Sequence, residues 1–333
     1  MDLINKKFLI TGGFGLLGSH IAEQLLTAGA RQVVLFDNGS VGSRETVRHL
    51  LDDPRIVVIG GDILRQNELY DALEDVSGVF HTAYFITLPL SKNLWTGMDV
   101  NIRGIMNLLE ACRIRGVQKI IYSSSISTYG NTSVGVITED CPFSSHGVHP
   151  APALYGSGKV MSEHLCAFFK QRYGLDYVAV RVSSVYGERQ HGRGINVLPI
   201  MQAYDRINQG LPPLVNAEAD EVHDYVYAGD VAAAQLLAMQ SGVSGEAINV
   251  AAGESTTYET LIRTVLEVCG SDLEPEFRQE AGRIKSAGVT ANRFSIDKAA
   301  ALLNWRPTVT LKQGIQRLIE WEVKAASAGG NKV

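Results

Sequence analysis

Cysteine is scarce and scattered in this sequence. Cys112, Cys141, Cys166 and Cys269 are the only four among 333 residues, with no C-x-x-C pair and no histidine at zinc-ligand spacing. This speaks against a disulfide framework and against a metal site, and it fits a reducing cytoplasm. Long apolar runs are missing as well. Nowhere do about 18 apolar residues follow one another, and Phe8-Leu9-Ile10 is too short for the core of a signal peptide. Nor is positive charge in excess. With 30 Lys and Arg against 35 Asp and Glu the formal net charge is -5, so neither nucleic acid nor an anionic membrane is expected as a partner. No internal repeat or low-complexity segment stands out.

What is present is ordinary globular composition, 45% hydrophobic and 20% charged, with 33 glycines that ask for tight turns. A chain of this length predicts a large domain with a smaller companion. In the first third, short apolar runs alternate with amphipathic stretches. Phe8 to Thr11, Val33 to Phe36, Val57 to Ile59, Val79 to His81 and Lys119 to Tyr122 read as strands, followed by Tyr177 to Arg181 and Glu246 to Val250. A helix is expected from about Ala153 to Tyr173. The pattern predicts an α/β fold: a Rossmann-type doubly wound parallel sheet with a smaller C-terminal α/β substrate lobe. Beyond Gly187, glycines and prolines break the periodicity, which assigns residues 183–224 and 253–327 to that lobe and 1–182 with 225–252 to the sheet domain. The lobe should hold a helix over Thr256 to Gly270, a strand over Glu274 to Phe277 and helices near Ser295 to Leu303 and Leu311 to Ala326, with 328–333 as a frayed tail.

The strongest local signal is the turn Gly12-Gly13-Phe14-Gly15-Leu16-Leu17-Gly18, after a strand and before a helix. Glycines let such a turn take positive φ and let the backbone approach a pyrophosphate, while the helix start offers free N–H groups. Asp37 ends the second strand, where a carboxylate accepts both ribose hydroxyls of NAD and repels the 2′-phosphate of NADP. Its alternative reading is a turn residue in Asp37-Asn38-Gly39. Asp62 reads either as a partner of the adenine amino group or as a helix cap.

Tyr155 and Lys159 stand at i and i+4, which puts a phenol and an ammonium on one helix face. A phenol useful as a base near pH 7 must have its pKa lowered by about three, roughly 4 kcal/mol, and an ammonium with a cationic nicotinamide ring could supply that. The fifth strand ends in Ser123-Ser124-Ser125, at the carboxyl edge where doubly wound sheets bind ligands, and a hydroxyl there can donate to a substrate oxygen.

Together with Gly61-Asp62-Ile63, His81-Thr82-Ala83, Val100-Asn101, Val185-Tyr186-Gly187, Asp224-Tyr225-Val226-Tyr227, Asn249-Val250 and Leu302-Leu303-Asn304-Trp305-Arg306-Pro307, these words resemble the extended short-chain dehydrogenase/reductase family. The likeness is closest to its NAD-dependent nucleotide-sugar epimerases and dehydratases, of the UDP-glucose 4-epimerase type, and it covers essentially the whole chain. The resemblance implies that Tyr155 is the base, that Lys159 holds the nicotinamide ribose and tunes Tyr155, and that Ser125 is the hydroxyl partner. It implies that Asp37 and Asn38 hold the adenosine ribose, Asp62 and Ile63 the adenine, and Thr82, Ala83, Asn101 and Ser123 the cofactor's inner half. It further implies a homodimer paired through helices over Asp99 to Arg115 and Ala153 to Tyr173.

Departures fall on the substrate side. Ser184 stands where these enzymes usually carry Asn, and His223 where they tend to carry a phosphate-binding Arg, a poorer anion partner. Substrate contacts are expected from Ser125, Tyr155, Ser184, Asn196, His223 and Lys285, with Arg189, Arg283 and Arg293 as further candidate phosphate partners. Tyr84 to Leu90 is more apolar than expected beside a sugar, and reads either as a substrate wall or as a loop on the lobe interface. The leading expectation is a nucleotide-sugar epimerase that recycles NAD. The alternatives are a net dehydrogenase of a non-nucleotide alcohol or ketone, motivated by Ser184, His223 and the apolar loop, and a dinucleotide-binding module without turnover, which the intact Tyr155, Lys159 and Ser125 argue against.

Overall fold

Each apolar run near the N-terminus is followed by a stretch long enough to return the chain to the same edge, so the strands pair in parallel. In the computed structural model, which describes residues 1–132, 135–190, 196–215, 222–278 and 293–329, the main strands are β1 (Lys7–Thr11), β2 (Gln32–Phe36), β3 (Ile56–Ile59), β4 (Gly78–His81), β5 (Lys119–Ser125), β6 (Asp176–Val182) and β7 (Glu246–Val250). They form one seven-stranded sheet in the order β3-β2-β1-β4-β5-β6-β7, parallel throughout. This is the expected doubly wound architecture. Its order reverses between β1 and β4, so the carboxyl ends of these two strands open a crevice.

The longer helices are α1 (Leu16–Thr27), α2 (Gln66–Ala72), α3 (Ile105–Arg115), α4 (Pro150–Tyr173), α5 (Leu198–Asn208), α6 (Ala228–Gln240), α7 (Tyr258–Cys269), α8 (Asp297–Leu303) and α9 (Leu311–Gly329). Alternate strand residues face opposite layers. Phe8, Ile10, Val33 and Leu35 join one core with Ile21 and Leu25 of α1 and Val231 and Ala234 of α6. Leu9, Val34 and Val79 join the other with Leu69 of α2 and Leu108 and Cys112 of α3. Burial on both faces is why these strands read as continuous apolar runs. A third core gathers Ile200 and Met201 of α5, Leu261 and Val265 of α7, and Ile315 and Leu318 of α9 around Tyr186, Tyr225 and Tyr227.

Several boundaries move. The helix expected from Ala153 starts at Pro150, because proline fits the first turn, where its missing N–H has no partner to lose. The helix expected from Thr256 starts at Tyr258, since Thr256–Thr257 pairs antiparallel with Val222–His223 and Thr257 then caps α7, accepting from Thr260 N at 3.0 Å. The strand at 274–277 shrinks to Glu276–Phe277, whose partner is only the two-residue Leu214–Val215. Residues Asp99–Gly104 form a π-helical turn before α3. α9 runs on to Gly329, and 330–333 lie outside the described residues.

The crevice edge is pinned by a buried pair, with Thr11 Oγ1 and His81 Nδ1 2.6 Å apart. Burial, with the Lys159 ammonium second, pushes the His81 imidazole down to about 3 from 6.5, and burial does the same to His20. Between those values the unfolded chain binds protons that the folded one refuses. The stability these rings contribute is therefore complete above pH 6.5 and is lost as pH falls toward 3. Denaturant titrations between pH 6 and 4 should show each of these histidines lowering stability by about 1.4 kcal/mol per pH unit as acid is added. In His81→Gln one such increment of the slope should disappear.

Candidate active site

The glycine turn is built by sterics. Gly12 has φ +71°, and a Cβ there would stand 2.7 Å from both Ala83 N and Thr82 Oγ1; a Cβ on Gly18 would stand 2.4 Å from Gly12 O. Only hydrogen fits at either place. Gly15 precedes α1 without a side-chain cap, and the first turn carries no acidic residue. The opening N–H groups of α1 have no intrahelical acceptor and Gly15, Leu16 and Leu17 line the crevice, an arrangement that fits a diphosphate.

At the end of β2, Asp37 accepts from Phe14 N at 3.0 Å and Gly39 N at 2.7 Å. Burial raises its carboxyl, with those two N–H groups opposing. Asp37 shapes the turn and also lines the cleft beside Asn38. Asp62 accepts from Leu64 N at 2.9 Å and lines the cleft with Ile63, but α2 is preceded by Arg65, so the helix-cap alternative fails. Thr82 and Ala83 close this wall, Thr82 donating to Thr11 O at 2.8 Å.

Three expected cofactor residues stand behind the wall rather than on it. Phe14 offers its N–H to Asp37, and Gly18 packs against the turn. Asn101 is 2% exposed and spends its amide on one backbone position, accepting from Phe85 N at 2.7 Å and donating to Phe85 O at 2.9 Å. No local pattern hints at this clamp, because the two segments meet only in the fold.

Tyr155, Lys159, Ser123 and Ser125 come together on the same cleft. Lys159 Nζ donates to Ser123 O at 2.7 Å, and Gln235 donates to the Ser123 hydroxyl at 3.1 Å. Burial pushes the Lys159 ammonium down to about 7, with Glu163 opposing. Tyr155 differs from expectation. Burial drives its phenol up to about 12, with the Ser125 hydroxyl opposing. The Lys159 ammonium lies 5.8 Å from the Tyr155 ring centre, and the phenol stays raised beside it. Behind the pair, Glu163 accepts from Ser124 at 2.5 Å and from Arg181 at 3.0 and 2.7 Å, and Arg181 donates to Tyr129 at 3.0 Å. This half-buried network ties the serine run to α4.

On the far side, Ser184, Asn196 and His223 line the cleft, Asn196 donating to Val185 O at 3.1 Å. The apolar stretch is a cleft wall too, through Tyr84 to Leu88. Asp224, overlooked as a site residue, lines it as well. It accepts from Ser183 at 2.6 Å, Ala252 N at 2.7 Å and Gly253 N at 2.8 Å, while burial raises its carboxyl to about 6. Arg189 does not reach the cleft. Its guanidinium is buried against His49 at 2.8 Å, His20 at 3.1 Å and Glu23 at 2.7 Å. Arg293 is exposed on a two-residue strand and is no part of the wall. Lys285 and Arg283 lie outside the described residues. Among the described residues no cluster of His, Cys, Asp or Glu could hold a metal ion, and no helix is long and apolar enough to cross a membrane.

Residues 8–251 match the NAD dependent epimerase/dehydratase family. A putative UDP-glucose 4-epimerase of Methanocaldococcus jannaschii is 30% identical over 319 residues, covering 94% of this chain and 97% of the relative. A UDP-glucose 4-epimerase of Mycolicibacterium smegmatis is 28% identical over 320 residues, covering 95% and 98%. Among solved structures, the UDP-glucose 4-epimerase of Thermotoga maritima with UDP-glucose superposes with a TM-score of 0.83 at 29% identity, covering 96% of this chain and 99% of that one. That of Thermus thermophilus, in complex with NAD, gives 0.80 at 30% identity with the same coverage.

Proposed function

The chain belongs to the NAD-dependent epimerase/dehydratase family, and from that premise we propose that it is a nucleotide-sugar epimerase working by transient oxidation of a sugar hydroxyl. The observation that carries the reading is the meeting of Tyr155, Lys159 and Ser125 on the cleft that also holds the glycine turn and Asp37. NAD, when bound, supplies the hydride acceptor and donor together with a positive ring charge. Gly12, Gly15 and the first turn of α1 would hold its diphosphate, Asp37 and Asn38 its adenosine ribose, Asp62 and Ile63 its adenine, and Thr82, Ala83, Ser123 and Lys159 its inner half.

In this reading Tyr155 Oη takes the proton of the substrate hydroxyl as the carbinol carbon is oxidised, and returns it on reduction. Ser125 Oγ donates to the same substrate oxygen. Buried Lys159 favours the phenolate electrostatically. Ser184, Asn196 and His223 would meet the nucleotide-bearing side of the substrate, in a lobe made of 183–224 and 253–327. Much of that lobe gathers in one apolar core around Tyr186, Tyr225 and Tyr227, while its Ala299, Leu303 and Trp305 pack into the core of the sheet domain.

Incubation with UDP- and GDP-sugars should give sugar interconversion without accumulation of NADH. Stoichiometric NADH from an unconjugated alcohol, with no interconversion, would instead establish the net dehydrogenase, a reading favoured by Ser184, His223 and the apolar wall.

We also propose a homodimer in the cytoplasm, where four unpaired thiols persist. Along α4, Leu154, Met161 and Phe168 recur one heptad apart at 42%, 51% and 54% exposure, and α3 adds exposed Met106 and Ile114. Such a stripe asks for a partner. Phe168→Glu should convert dimer to monomer in light scattering coupled to size exclusion, and an unchanged mass would count against this interface.

A further inference from the structure

Between Tyr155 and Lys159, α4 carries Gly158, although glycine in a helix interior weakens the helix relative to alanine. The fold gives this glycine a use. A Cβ at 158 would stand 2.6 Å from Oη of Tyr84, so the bare backbone opens a slot for the tip of a second phenol. Tyr84 is held from its chain neighbour as well, since Asn101 binds the N–H and carbonyl of Phe85 at 2.7 and 2.9 Å.

Seated in this way, the Tyr84 ring has its centre 3.5 Å from Lys159 Nζ and meets Tyr155 edge-on, at 5.7 Å between centres and 81° between planes. The ammonium also meets Ser123 O at 2.7 Å and the Tyr122 ring, whose centre is 4.8 Å away, with Glu163 and His81 within electrostatic reach. Lys159 is 3% exposed. An ammonium has three donors, and a desolvated one is held strongly by the negative face of an aromatic ring.

We propose that Tyr84 is a positioning residue: its ring, seated in the slot left by Gly158, fixes the Lys159 ammonium beside Tyr155. The consequence for turnover rests on the proposed epimerase reading, whereas the contact does not depend on the substrate. Without the ring, the Lys159 ammonium loses both a stabilising neighbour and its place. Tyr155 then loses electrostatic support for its phenolate.

The test uses the full chain loaded with NAD and two readouts: the pH profile of kcat for UDP-sugar interconversion, and ultraviolet titration of tyrosinate, from which the signal of Tyr155→Phe is subtracted to isolate Tyr155. Tyr84→Leu should lower kcat about tenfold and move the Tyr155 titration upward by about one pH unit, with KM changed less than about twofold. Tyr84→Phe, which keeps the ring, should recover most of that loss. Gly158→Ala displaces the ring without shortening it and should move the titration in the same direction; it decides the matter if Tyr84→Leu does not fold. A Tyr155 titration in these variants that matches the wild type, even with lowered thermal stability, would overturn the proposal and leave Tyr84 as packing. If the wild type interconverts no nucleotide sugar, the epimerase reading fails, and the tyrosinate titration alone decides this one.

Discussion

Tyr155→Phe should lower kcat for sugar interconversion by about 10³-fold while the purified protein still carries NAD. The substitution removes one oxygen and leaves the ring that meets Tyr84 edge-on. Removal of a positioned acid–base group costs about 10² to 10⁴ in rate. The upper half of that range applies here, because the polar groups nearest the phenol are engaged elsewhere. Ser125 Oγ accepts from Ser127 N at 3.1 Å, and Lys159 is turned to Ser123 O. His81 stands close by in the fold, but its imidazole is buried, bonded to Thr11 and held down to about 3. Single-turnover assays and the NAD content of the variant check the result. Loss of less than about tenfold in kcat with NAD retained would place the proton transfer elsewhere.

The pH dependence follows from the environment of Tyr155. In the protein alone, burial holds the phenol up at about 12, so it is an acid at neutrality. The base form is populated near pH 7 only when positive charge enters the cleft. For the oxidation half-reaction, kcat should therefore rise with pH along an acid limb.

How much of this was legible in the residues depended on whether a signal was local. The strands were readable because burial on both faces leaves them uniformly apolar, and the turn from Gly12 to Gly18 because its sterics lie within one short segment. Tyr155 and Lys159 could be paired because helical spacing alone puts them on one face. Contacts between distant segments were not readable. Asn101 looked like a cofactor ligand, yet its amide is consumed by Phe85; Arg189 looked like a free cation, yet it is buried between two histidines and Glu23. Gly158 passed unnoticed because the phenol it accommodates is far away in sequence. Asp224 could have been found from one signal, a carboxylate directly before the strand Tyr225–Tyr227, which pairs with Ser184–Tyr186 beside the cleft.

Gly12→Ala should lower NAD affinity at least about 100-fold, more than any loss of fold stability would explain. Two costs act together. At φ +71° an alanine is strained by about 1 kcal/mol, and its methyl meets backbone at Ala83 as well as the hydroxyl of Thr82. The strain alone can be measured at Gly116, which has φ +69° at the end of α3 and open space around it, so Gly116→Ala should lose only about 1 kcal/mol of stability and keep its NAD. At Gly12 the clash has to be relieved by moving either the turn or the end of β4. Both are walls of the cleft, and Gly12 O is the acceptor for Gly15 N at 3.0 Å, so either movement takes the N–H groups of α1 out of register with a diphosphate. Calorimetric titration of NAD into the two variants, alongside denaturant unfolding, separates these effects. Equal affinity in Gly12→Ala and the wild type would mean that the diphosphate does not sit on this turn.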